Sequence, residues 1–110
     1  MGCHLGFWGN HWMTAKNSFA AALKTVRKAR GLSQEAFSDV SSRTYMSSLE
    51  RSLKSPTLSK VAELCEVMDI HPLTLLTLAY AGGSERKTDQ LLAQVRQELA
   101  SVLDQERDAP

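Results

Sequence analysis

Residues 32–51 read LSQEAFSDVSSRTYMSSLER, and this stretch constrains the fold more than any other part of the chain. It predicts two short helices with almost no loop between them. Ser33 is placed to cap the first, its hydroxyl accepting from the free amides of the opening turn, and Glu35 suits the positive end of the helix dipole. Ser41 or Ser42 is placed to cap the second in the same way. Met46, Leu49 and Leu53 recur at steps of three and four, the spacing that lays an apolar stripe along one side of a helix. The other side carries Arg43, Thr44, Tyr45, Ser47 and Ser48, all hydrogen-bonding and none acidic. A helix with an apolar back and a front of short donors is built to press against a polar surface. DNA is the polymer it suits best.

Charge is divided along the chain in the same sense. The formal net charge is only +1, yet residues 16–60 hold nine basic residues against three acids, Glu35, Asp39 and Glu50. Residues 61–110 hold four basic residues against nine acids. The positive half coincides with the two short helices, which is the footprint expected for contact with a phosphate backbone. A solvated basic surface would have the same composition, so charge supports this reading without carrying it.

The motifs Leu32-Ser33-Gln34-Glu35, Ser42-Arg43-Thr44-Tyr45 and Leu49-Glu50-Arg51, followed by Lys54-Ser55-Pro56-Thr57-Leu58, resemble the lambda-repressor-like (Xre, or Cro/repressor) helix-turn-helix family of bacterial DNA-binding regulators. The resemblance covers residues 17–81. It implies an all-α protein with a five-helix DNA-binding domain, helices 2 and 3 forming the helix-turn-helix. It also implies an ion pair between Arg27 on helix 1 and Glu50 at the end of helix 3, a structural contact and not a DNA contact. Two features depart from the family pattern. The segment between Gln34 and Arg43 is shorter, and Ser52 stands where the family commonly has glycine, so a non-glycine residue is expected in the left-handed region there.

Helix 3 is then expected to enter the major groove with its N-terminal residues toward the base edges. Arg43 leads the base-reading set, because a guanidinium can bond guanine O6 and N7 together. Thr44 and Ser48 are short enough for close approach, and Tyr45 suits a phosphate or a stacked sugar and base methyl. Gln34, Ser42, Arg51 and Lys54 are the expected phosphate contacts. Gln34 is singled out because free backbone amides accompany it at the start of helix 2.

The remaining elements follow in order. Helix 1 is expected over residues 18–30, stopped by Gly31, with Phe19, Leu23 and Val26 inward. Helix 2 covers residues 34–39, with Phe37 and Val40 inward. Thr57 caps helix 4, residues 58–69, whose inward set is Leu58, Val61, Leu64 or Cys65, and Met68. Pro72 restarts the chain into helix 5, which runs through Leu73, Leu76 and Ala79 to Gly82-Gly83. Residues 84–107 contain no Gly or Pro and are rich in strong helix formers. Leu92, Val95, Leu99 and Val102 step by three, four and three there, with Leu91 and Leu103 broadening the stripe. This amphipathic C-terminal helix could fold back on its own domain or pair with a second copy. Pairing is favoured, since five helices already close a core in the resembled family and its members usually bind DNA as dimers.

Other functions find little support. A chain of 110 residues, 43% of them hydrophobic, makes one core and a short appendage. The longest apolar run, residues 73–81, is far too short to span a bilayer, and residues 1–15 lack the basic residues of a secretory signal, so a cytoplasmic protein is expected. Residues 1–16 have no period and are expected as a flexible extension. Cys3, His4 and His11 match no common metal-site spacing, and Cys65 is expected as a buried thiol. Histidines at 4, 11 and 71 offer no catalytic pair, so neither an enzyme nor a cofactor is expected. The 29 residues after helix 5 leave no sensory domain for a small-molecule effector. The expected function is a homodimeric, sequence-specific transcription regulator on a near-palindromic operator. The alternative is an antitoxin-like or phage-type accessory regulator whose main role is binding a protein partner, which a copurifying partner of fixed stoichiometry would favour.

Overall fold

The computed structural model describes residues 11–107, with side chains from Ser18 onward. All regular structure in this range is helical: α1 (His11–Ala29), α2 (Gln34–Phe37, a single 3₁₀ turn), α3 (Arg43–Glu50), α4 (Leu58–Met68), α5 (Pro72–Ala81) and α6 (Glu85–Arg107). The chain is all-α, as its sequence leads one to expect, with a long C-terminal helix following the shorter ones. None of the described helices is long and apolar enough to cross a membrane.

Local chemistry explains where the helices start and stop. Ser42 opens α3 and Thr57 opens α4, each in extended backbone with its hydroxyl accepting from an amide three residues on, Tyr45 N–H and Lys60 N–H, both at 3.1 Å. His71 opens α5 by accepting from Leu73 N–H on its Nδ1 at 3.0 Å, with Pro72 preset for the first turn. Three helices close on one pattern, a left-handed residue flanked by bonds back to the last turn. At α1 it is Gly31 (φ 70°), at α3 Ser52 (φ 61°) and at α4 Asp69 (φ 58°). At Ser52, the Ser52 amide donates to the Leu49 carbonyl (3.2 Å) and the Leu53 amide to the Ser48 carbonyl (2.9 Å).

The core is built on the inner faces of five helices. Leu23, Phe37, Met46, Leu49, Leu64, Cys65, Met68 and Leu75 are fully buried, and Phe19, Ala22, Val61 and Ala79 nearly so. Val26, Val40 and Leu76 pack against it from the edge. Helix α5 packs on α1 and also contacts α6. Cys65 is a free thiol whose burial raises its pKa, so it packs as a small apolar side chain and not as a thiolate.

Several expectations need correction. Helix α1 begins at His11, not near residue 18, because the glycines of the leading segment all precede it and nothing between His11 and Arg30 breaks a helix. Residues 11–16 are thus helical, while the rest of the expected extension, with Cys3 and His4, lies outside the described residues, as does the side chain of His11. Helix α2 is one 3₁₀ turn, and Ser33 does not cap it through its side chain. The Ala36 amide donates to the Ser33 carbonyl instead, at 3.1 Å, so the tighter turn satisfies the donor the hydroxyl would have served.

Two leucines expected inward face out, Leu53 (56% exposed) and Leu58 (81%), and Leu73 at the start of α5 is exposed as well (63%). Leu53 follows the left-handed turn at Ser52, which takes it off the α3 stripe. Leu58 and Leu73 stand in the first turns of α4 and α5. In α5 the fully buried leucine is Leu75.

Helix α6 buries none of its residues. Its 23 residues make a rod of roughly 34 Å at 1.5 Å per residue. The radius of gyration, 16.2 Å, exceeds the value of about 13 Å for a compact chain of this length, consistent with a helix that extends beyond the core.

Candidate nucleic-acid interface

Helix α3 has eight residues, too few to be stable alone, so its position depends on what grips it. Met46 and Leu49 anchor it from behind and are wholly buried. The Ser42 hydroxyl holds its N-terminus. At its C-terminus Arg27 of α1 meets Glu50 with two bonds, Nε to Oε2 at 2.6 Å and Nη2 to Oε1 at 2.9 Å. The same guanidinium donates from Nη1 to the Leu32 carbonyl at 2.9 Å. One side chain therefore ties α1, the segment entering α2 and the end of α3 together. The pair is shielded, with side-chain exposures of 11% for Arg27 and 3% for Glu50. Hydrogen bonding to Glu50 is the main reason that Arg27 has a raised pKa; burial opposes this and the carboxylate charge adds to it.

The outer side of α3 presents the expected base-reading set in unequal ways. Arg43 and Thr44 are exposed, while Tyr45 and Ser48 are half-buried. The Arg43 guanidinium sits 3.1 Å from Glu35 Oε1, with both side chains largely open to solvent. Ser48 donates its hydroxyl to the Thr44 carbonyl at 3.0 Å, so toward a ligand it offers lone pairs more readily than its proton. The Tyr45 ring lies against two ammonium groups, Lys54 Nζ at 5.6 Å and Lys60 Nζ at 5.8 Å from its centroid, both within cation–π range.

The expected phosphate contacts are similarly mixed. Arg51 and Lys54 are exposed just past the end of α3. Ser42 spends an acceptor site on its cap, which leaves its O–H proton for an anion. Gln34 is different: its amide donates to Glu50 Oε1 at 3.2 Å, so it completes the Arg27–Glu50 cluster and has one N–H left to offer.

Two residues absent from the expected set now enter it. Lys60 of α4 donates to the Val40 carbonyl in the α2–α3 connection and pairs with Glu63 at 3.0 Å, while its ammonium flanks Tyr45. Its membership in the basic block of residues 16–60 was the only sequence signal, since nothing local places residue 60 beside residues 40 and 45. Glu35 was read only as a helix-dipole residue, and its partner Arg43 is eight positions away across a turn.

The arrangement is a short helix gripped behind and at both ends, with hydrogen-bonding groups in front and exposed cations at each end. A family model described as helix-turn-helix matches residues 23–75, from within α1 to within α5. No curated protein is similar enough to the chain to be matched to it. With the match covering both helices of the motif and the elements that grip them, residues 23–75 form a helix-turn-helix domain of the lambda-repressor-like, DNA-binding kind.

Proposed function

We propose that this chain is a sequence-specific transcription regulator that binds a near-palindromic operator as a homodimer, with α3 in the major groove. The observation that carries the proposal is the state of α3: rigidly held by Arg27–Glu50 and the Ser42 cap, yet exposing Arg43 and Thr44 at its N-terminus. Arg43 reads a guanine, Thr44 approaches a neighbouring base or thymine methyl, and Tyr45 and Ser48 line the contact. Ser42, Gln34, Arg51 and Lys54 hold the backbone. The dimer is supported by the α6 seam, where Leu92, Val95, Leu99 and Val102 are 41–57% exposed, and by the groove that Leu92, Val95 and Leu99 form with Ala93, Arg96, Ala100 and Leu103.

Binding through this surface releases counterions from every phosphate neutralised, so affinity should fall steeply with salt, at a slope near −0.9 per contact. Lys54→Ala should weaken binding about equally on every duplex and make the slope shallower by roughly one per subunit. Fluorescence anisotropy over a salt series measures both. Affinity that is flat between low and physiological salt would contradict the mechanism.

A further inference from the structure

Residues 16–60 carry only three acids among nine cations, and each carboxylate there repels the DNA that the domain binds. Glu50 is accounted for by Arg27 and Gln34. Glu35 is not needed in the same way. Its Oε1 meets Arg43 Nη1 at 3.1 Å, with side-chain exposures of 70% and 71%. A pair so open to solvent contributes almost nothing to folding.

What the contact does supply is orientation. Arg43 is a long, exposed side chain, and freezing it against a base edge costs conformational entropy at the moment of binding. Glu35 accepts from a single nitrogen, Nη1, out of a fork of five N–H donors. The remaining donors suffice for guanine O6 and N7. The bond joins the first turn of α2 to the first residue of α3, so it is anchored on a different element from the one it steers. Resting on the DNA-binding reading given above, we infer that Glu35 is a positioning residue that fixes Arg43 for base recognition. It raises discrimination between sequences while lowering affinity for DNA in general.

The test is a two-residue cycle read as specificity. A preferred duplex is selected with the wild-type chain, and the base pair read by Arg43 is taken as the one at which Arg43→Ala relaxes that selection. Affinity is then measured on the preferred duplex and on one altered at that pair, for the wild type, Glu35→Gln, Arg43→Ala and the double variant. Glu35→Gln should bind the altered duplex more tightly than the wild type does. Its ratio of affinities should fall roughly three- to tenfold, the cost of ordering one freed side chain. In the Arg43→Ala background the same change should leave the ratio alone. Melting curves of Glu35→Gln and wild type should superimpose.

If Arg43→Ala lowers discrimination but Glu35→Gln leaves it unchanged or raises it, the inference fails by itself, and a rise would mean that Glu35 masks Arg43. An equal loss of discrimination from Glu35→Gln with and without Arg43 also overturns it. If Arg43→Ala relaxes no base pair, the DNA-reading role of α3 fails and the role of Glu35 goes with it.

Discussion

Arg27 and Glu50 do for α3 what its length cannot. The pair is shielded and fully hydrogen-bonded, so removing one partner strands a charge, at about 3–5 kcal/mol. Glu50→Ala should therefore lower the melting temperature sharply, whereas Ser48→Ala, on the outer side of the same helix, should barely move it. Thermal melts followed by circular dichroism separate the two, and coincident curves would reduce Glu50 to an ordinary surface acid. A second residue carries measurable strain. Ser52 adopts φ 61° at a position where only glycine is free of a Cβ penalty of roughly 1–2 kcal/mol. Added unfolded-chain entropy of about 0.4–1 kcal/mol offsets part of the relief. Ser52→Gly should then stabilise the protein by up to about 1 kcal/mol in urea titrations. Lower stability would mean that Ser52 makes a contact outweighing its backbone cost.

At the scale of elements, the legible parts were those where sequence offered two agreeing signals. Helix α3 had a cap, an apolar stripe and family motifs at its two ends, and its bounds and buried residues followed. Position 52 was legible because a non-glycine residue stood where the family pattern has glycine. Leu53 was misread for the same reason: a spacing of four from Leu49 counts only while the helix continues, and the left-handed turn ends it. Helix α5 offered almost no polar face. Only Thr74 and Thr77 interrupt its apolar residues, so periodicity could not choose between Leu73 and Leu75. Gln34, Glu35 and Lys60 show the other limit. Their partners, Glu50, Arg43 and Val40, lie on other elements, and no local pattern encodes a meeting that only the packed fold creates. The candidate surface could be named from sequence; which of its polar groups were already engaged could not.

At the scale of the molecule, the proposed dimer rests on α6. Its seam leaves Leu92, Val95, Leu99 and Val102 more than two-fifths exposed. Covering such side chains is worth about 1.5–3 kcal/mol each for full burial, and a two-fold pair counts every one twice. Leu99→Asp places a charge mid-seam that must be desolvated without a partner. Light scattering should find this variant folded and monomeric, with greatly weakened operator binding, beside a dimeric wild type. A wild type that is monomeric at concentrations on the order of tens of micromolar, a typical range for weak association, would contradict pairing. So would a Leu99→Asp variant that unfolds outright, since the helix would then belong to its own core. In the proposed dimer, pairing through α6 would set two copies of α3 on one duplex, with half-sites about 34–36 Å apart. The measurement closest to the central claim is therefore selection from random duplexes with the wild type and Arg43→Ala in parallel. The wild type should return a near-palindromic motif with that spacing. Arg43→Ala should return the same motif relaxed at one base pair in each half-site and bound about 1–3 kcal/mol more weakly. A wild type that enriches no motif, or two proteins that enrich identical motifs with equal affinity, would show that α3 does not read DNA.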